Sequence, residues 1–186
     1  MSTLCHGVFS FFLILAMSAV ASGQNVSSNL LEKTRIAVAT AANSATEAGT
    51  MRDMAIIALR NVMAAENDAN EAFLLAVKSG DKKKLTAARK VLDKMSDSAE
   101  EARGCLETIT DYLRDACSAA DSARELEKTI QSSQSQREAL SVFAKIERYA
   151  KTASKNAEKA KDIAEALKKQ WLLPITSSNP SIQPGR

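Results

Sequence analysis

The sequence predicts an all-α fold, an elongated antiparallel three-helix bundle with coiled-coil packing, preceded by a signal peptide. Three observations lead there. Small and apolar residues recur at alternating spacings of three and four along most of residues 30–171, the spacing of a narrow stripe on a long helix. No proline precedes Pro174, so nothing forces a kink before that point. Two short polar breaks, Lys78-Ser79-Gly80-Asp81 and the Gln/Ser run 131–136, divide the pattern into three.

Composition sets the character of those helices. Hydrophobic residues make up 45% of the 186, yet much of that share is alanine and aromatics are 4%. Alanine has the best helix propensity and the smallest side chain with a Cβ, which favours thin, closely spaced helices. A net charge of +3 with both signs abundant describes a solvated surface and gives no case for nucleic-acid binding.

Residues 1–23 read as a secretory signal. An apolar core, Val8 to Met17, precedes small residues Ala19, Ala21, Ser22 and Gly23, with cleavage expected after Ala21 or Gly23. The core is too short for a comfortable spanning helix, which takes about 20 apolar residues, although its leading region carries no Lys or Arg. Cleavage would remove His6, the one histidine, together with Cys5. Asn25-Val26-Ser27 forms a glycosylation sequon beside the new N-terminus, making Asn25 a glycan candidate. A bare chance match is the competing reading.

The first helix is expected over about 26–78. Its seam runs Leu30, Thr34, Ala37, Ala41, Ser44, Ala48, Met51, Ala55, Ala58, Val62, Ala65, Ala69, Ala72, Ala76. A flanking row of Leu31, Val38, Ala45, Leu59 and Phe73 widens the stripe, as a helix meeting two neighbours requires. Gly80 suits the left-handed position that ends a helix, and Asp81 suits an N-cap. So short a connection makes consecutive helices antiparallel neighbours. Lys78, Lys82, Lys83 and Lys84 form a basic hairpin tip; cations in a first turn oppose the helix dipole. A solvated tip is the plain reading, an anionic ligand or glycan the functional one.

The second helix, about 82–130, has the seam Leu85, Ala88, Leu92, Met95, Ala99, Ala102, Leu106, Ile109, Leu113, Ala116, Ala120, Ala123, Glu127, Ile130, broken by Glu127 alone. Cys105 and Cys117 flank it. Twelve helical residues set them about 18 Å apart, whereas a disulfide needs Cα atoms within about 7 Å. They are expected not to bond unless the helix kinks near Gly104, so free thiols and intermolecular bridges remain open. The third helix, about 137–171, carries Ala139, Phe143, Ile146, Ala150, Ala153, Ala157, Ala160, Ala164, Leu167 and Trp171, with alternating charges on its outer face. Domain limits follow: bundle 24–173, flexible tail 174–186.

Chemistry is hard to find. Without histidine the mature chain has no imidazole base and no His-containing zinc set. Glu66, Asp68 and Glu71 scatter around a helix, and Met51, Met54, Met63 and Met95 read as packing residues near the seams. No catalytic, metal or cofactor residues are assigned and no cofactor is expected. The expectation is a non-enzyme.

A signal sequence followed by three alanine-rich heptad helices over Leu30–Trp171, two of them exceeding 45 residues, resembles the alanine-rich stage-specific surface proteins of African trypanosomes, of the brucei alanine-rich and glutamic-acid/alanine-rich types. More distantly it is similar to the three-helix surface receptors and coat glycoproteins of those parasites. The resemblance implies a membrane-associated rod held by a glycolipid anchor within a protective coat. Such an anchor needs an apolar C-terminal tail; the chain ends Gln183-Pro184-Gly185-Arg186, so a secreted relative or a truncated C-terminus is expected. The function expected is therefore a cell-surface or secreted coat protein, reached through the secretory pathway, with neighbouring copies or other surface proteins as partners. The alternative is a surface or secreted receptor or carrier for a host macromolecule or lipid. Seams of alanine favour permanent closure over the Leu- and Phe-rich faces that a lipid carrier would open.

Overall fold

A computed structural model describes residues 26–171. The signal segment 1–23, Asn25 and the tail 174–186 lie outside the described residues. Three helices account for nearly all of the described chain: α1 (Ser28–Ser79), α2 (Lys82–Ser132) and α3 (Gln136–Trp171). Each packs against both of the others, and no strand occurs among the described residues. The observed ends lie within two residues of the expected ones.

Local chemistry explains those ends. Ser27 begins α1 by accepting the Leu30 amide on its hydroxyl at 3.2 Å, the usual N-cap bond. Gly80 closes α1 at φ 68°, a left-handed position where a Cβ would be strained. Asp81 then starts α2 by accepting the amides of Lys83 and Lys84 at 2.9 and 3.2 Å. Ser135 repeats the device for α3, accepting from the Glu138 amide at 3.2 Å.

Contacts between helices give their relative course. Glu66 on α1 meets Ser96 and Arg103 on α2, and Gly49 lies against Leu113, so positions rising along α1 meet positions falling along α2. On α3 the order is the same as on α1. The Ser27 amide donates to Gln136, Glu47 lies 3.9 Å from Lys161, and Asn61 donates to the Trp171 carbonyl.

The core is mostly methyl groups. Of 26 buried hydrophobic residues, 18 are alanine, and no aromatic is among them. Leu30, Ile130, Val142 and Ile146 supply larger side chains at the end where α1 and α3 begin. Phe143, Tyr112 and Trp171 pack on the rim, half-buried. No fully buried side-chain nitrogen or oxygen among the described residues lacks a hydrogen-bond partner; Thr34, for one, donates to the Leu30 carbonyl at 2.8 Å.

The expected seams are buried more completely where three helices meet than where two do. Even so, Ala37, Met51, Leu106, Leu113 and Phe143 are only half-buried in the three-helix part, and Ala69 and Ala76 are buried in the two-helix part. Ala99, Ala102, Ile109, Ala116, Ala120 and Ala123 are buried on α2, but Leu85, Ala88, Leu92 and Met95 are only half-buried. On α1, Ala65 is half-buried and Ala72 exposed. Met63, read as a packing residue, is 41% exposed. The cause is length. The described part of α3 ends beside Asn61, while α1 continues through 62–79 and α2 begins at 82. Beyond that level a two-helix hairpin extends about 27 Å at 1.5 Å per residue, with no third helix among the described residues to close it.

Replacing Ala157 with Leu should overpack the seam and lower stability by about 1–3 kcal/mol, while Ala→Ser at exposed Ala144 should be near neutral; thermal melts that failed to separate the two would contradict this register. At Gly49 an added Cβ would sit 4.0 Å from Leu113, ordinary contact distance. Gly49→Ala should therefore stabilise the chain by about 0.5–1 kcal/mol through helix propensity, read as a raised denaturation midpoint.

Candidate functional site

The hairpin turn gathers the basic residues singled out in the sequence. Lys78 closes the last turn of α1, and Lys82, Lys83 and Lys84 form the first turn of α2, which contains no acidic residue. Lys78 therefore sits favourably at a helix C-terminus, while the other three oppose the dipole of α2. Asp81 offsets part of that repulsion by accepting two of their amides. Among the described residues no carboxylate comes within ion-pair reach of the four ammonium groups.

Sequence reasoning missed what lies just below. Leu74, Leu75 and Val77 on α1 and Val91 on α2 are each at least half exposed, Leu75 the most at 67%. The signal was present: Phe73-Leu74-Leu75-Ala76-Val77 is five apolar residues in succession. Such a run covers more than a full helical turn, so one seam cannot bury all of it. The hairpin end thus combines a cationic crown with an unclosed apolar shaft.

The two cysteines stay apart. Helix α2 runs unbroken through Gly104, and Cys105, a free thiol, is not joined to Cys117. Burial pushes the Cys105 thiol above its ordinary pKa, and the charge of Glu101 adds to the effect. The folded chain therefore holds this proton more tightly than the unfolded chain does. The resulting contribution to stability is complete below the ordinary thiol pKa and is lost as pH rises through the raised one. A half-buried thiol that holds its proton is a weaker nucleophile than an exposed one, and Cys105 packs against the core cluster.

Cys117 lines an open groove between α2 and α3, about 740 Å³, shared with Arg114, Asp121, Leu126, Lys145 and Tyr149. Its walls carry both signs of charge and open broadly to solvent. Near it, the Lys159 ammonium lies 5.0 Å from the Tyr112 ring centroid, a cation–π contact pinning α3 to α2. Of the acidic trio, Glu66 accepts from the Ser96 hydroxyl at 2.9 Å and lies 3.9 Å from Arg103. Asp68 and Glu71 are exposed. No group of three or more potential metal ligands forms among the described residues. No described helix is long and apolar enough to cross a membrane.

Comparison with known proteins leaves the geometry to speak for itself: no protein-family model, curated protein or solved structure matches the chain.

Alkylation of Cys105 should lag that of a cysteine in the urea-unfolded chain at neutral pH and should catch up only above the ordinary thiol range, about 8.5. Glu101→Gln should shift the rate profile to lower pH. Peptide mass spectrometry of iodoacetamide-treated protein measures both, and identical folded and unfolded profiles would refute the burial argument.

Proposed function

We propose that this chain is a non-enzymatic coat protein of the cell surface or extracellular space, acting as an elongated antiparallel three-helix rod with coiled-coil packing. The observation that carries this reading is the alanine core, 18 of 26 buried hydrophobic positions, running along helices of 52 and 51 residues. A helix of that length reaches about 78 Å. Methyl-sized side chains let helix axes approach near the lower end of 8–10 Å, giving a slender rod that stays closed. Shielding then needs no reaction: rods standing beside their copies exclude larger molecules, and polar outer faces keep them soluble.

The signal-like segment 1–23 and the sequon at Asn25 support a route through the secretory pathway, and the resemblance to trypanosome alanine-rich surface proteins supports the same reading. A hold on a membrane would come through an anchor rather than through any described helix. An opening lipid carrier is disfavoured because alanine seams expose little apolar area when separated, and the energy of burial scales with that area.

Fractionation of cells producing the native protein, with phosphatidylinositol-specific phospholipase and an intact mass, tests the proposal. The expected result is a chain shortened by about 21–23 residues at its N-terminus, at the surface or in the medium. A full-length chain confined to the cytosol would overturn it.

A further inference from the structure

The hairpin beyond α3 has a periodic feature that a solvated tip does not need. Glu47 and Asn61 are two α1 residues whose side chains reach α3, one to Lys161 and one to the Trp171 carbonyl. Leu75 lies fourteen residues beyond Asn61, the same interval that separates Asn61 from Glu47, so it sits on the same helical line. On α2, Tyr112 meets Lys159 of α3, and Val91 precedes it by three heptads. The surface that meets α3 lower down thus continues to the hairpin end and finishes on exposed Leu75 and Val91. Ala65 and Ala72 beside this line leave room for a close helix neighbour.

Charge is segregated along the same stretch. Residues 73–90 carry Lys78, Lys82, Lys83, Lys84, Arg89 and Lys90 against Asp81 alone. Residues 62–72 and 91–100 carry Glu66, Asp68, Glu71, Asp93, Asp97 and Glu100 against Lys94 alone. The ion pairs of this stretch, Arg89–Asp93 at 4.0 Å and Glu66–Arg103 at 3.9 Å, leave both fields largely uncompensated among the described residues.

We propose that the occupant of this face is a second copy of the chain, its hairpin laid antiparallel on the first to form a local four-helix bundle about a two-fold axis. That arrangement sets each basic end over the partner's acidic stretch and buries Leu75 and Val91 from both copies. It is isologous, so it closes as a dimer and does not propagate. Two other occupants fit less well. Residues 172–186 follow α3 directly but contain one charged residue, Arg186, and answer neither field. An anionic membrane would attract the lysines and repel the acidic stretch that lies on the same shaft.

This inference does not depend on the coat reading, since a cytosolic rod would dimerise in the same way. The test uses the full chain, expressed in a secretory host, in sedimentation equilibrium up to about 100 µM, where even a weak, micromolar dimer would register. Dimers that weaken with salt are expected. Leu75→Glu should raise the dissociation constant at least about tenfold by placing a charge in the interface. Lys82→Glu/Lys83→Glu/Lys84→Glu and Asp68→Lys/Glu71→Lys/Asp97→Lys should each abolish the homodimer, and an equimolar mixture of the two should form heterodimers. Circular dichroism checks that every variant remains helical. Any of four results would overturn the proposal: a wild-type monomer at the highest concentration, a dimer indifferent to Leu75→Glu, no association in the mixture, or a dimer that forms only after removal of residues 172–186. Flotation of the wild-type monomer with phosphatidylserine vesicles, lost on Leu75→Glu, would assign the face to lipid instead.

Discussion

Everything in this molecule depends on helices closing over side chains of a single methyl group. An alanine contributes little apolar area when buried, and stabilisation scales with that area. Such a core can therefore be sufficient only if it is long. Helices of 52, 51 and 36 residues supply that length, and high alanine propensity lowers the cost of each additional turn. Larger side chains are spread along the core, with Ile109, Val62 and Leu167 beyond the end where α1 and α3 begin. Leu30, Ile130, Val142 and Ile146 close one end of the bundle with larger side chains, beside the bond from Ser27 to Gln136.

Close packing also limits what the rod can do chemically. Side chains on the seam are too short to converge polar groups on an enclosed site, and the polar residues are left on outer faces with water around them. The ion pairs there are separated by about 3–4 Å and mostly exposed, so each adds a few tenths of a kcal/mol at most. Of the buried polar residues, Thr34 turns its hydroxyl back onto its own helix backbone.

The hairpin end departs from the rest in three ways at once. Among the described residues its seam loses the third neighbour, its apolar residues emerge, and its charges separate by sign along the shaft. Two helices without a third bury only one side of each, so Leu85, Leu92 and Met95 remain half-exposed although their spacing is that of a core. The lysines of the first turn of α2 act against the helix they begin, which points to a role outside the isolated fold. A second copy would supply both the missing neighbour and the countercharge.

Helix type, number and ends were legible in the residues because they are local properties. Period 3.5, the absence of proline before Pro174, Gly80 with its left-handed backbone and the capping Asp81 act within a few residues of chain. The inability of Cys105 and Cys117 to join followed from helical rise alone. Burial was not local. Val38 took the core position expected of Ala37, and Ala119 and Asn156 went inside without lying on an expected seam, because the angle to two neighbours, not one, selects the inner face. Whether Leu75, Val91 or Ala72 meets another of the described helices depends on the level that Trp171 of α3 reaches along α1 and α2. That is a relation between distant parts of the chain, and only the packed tertiary structure decided it.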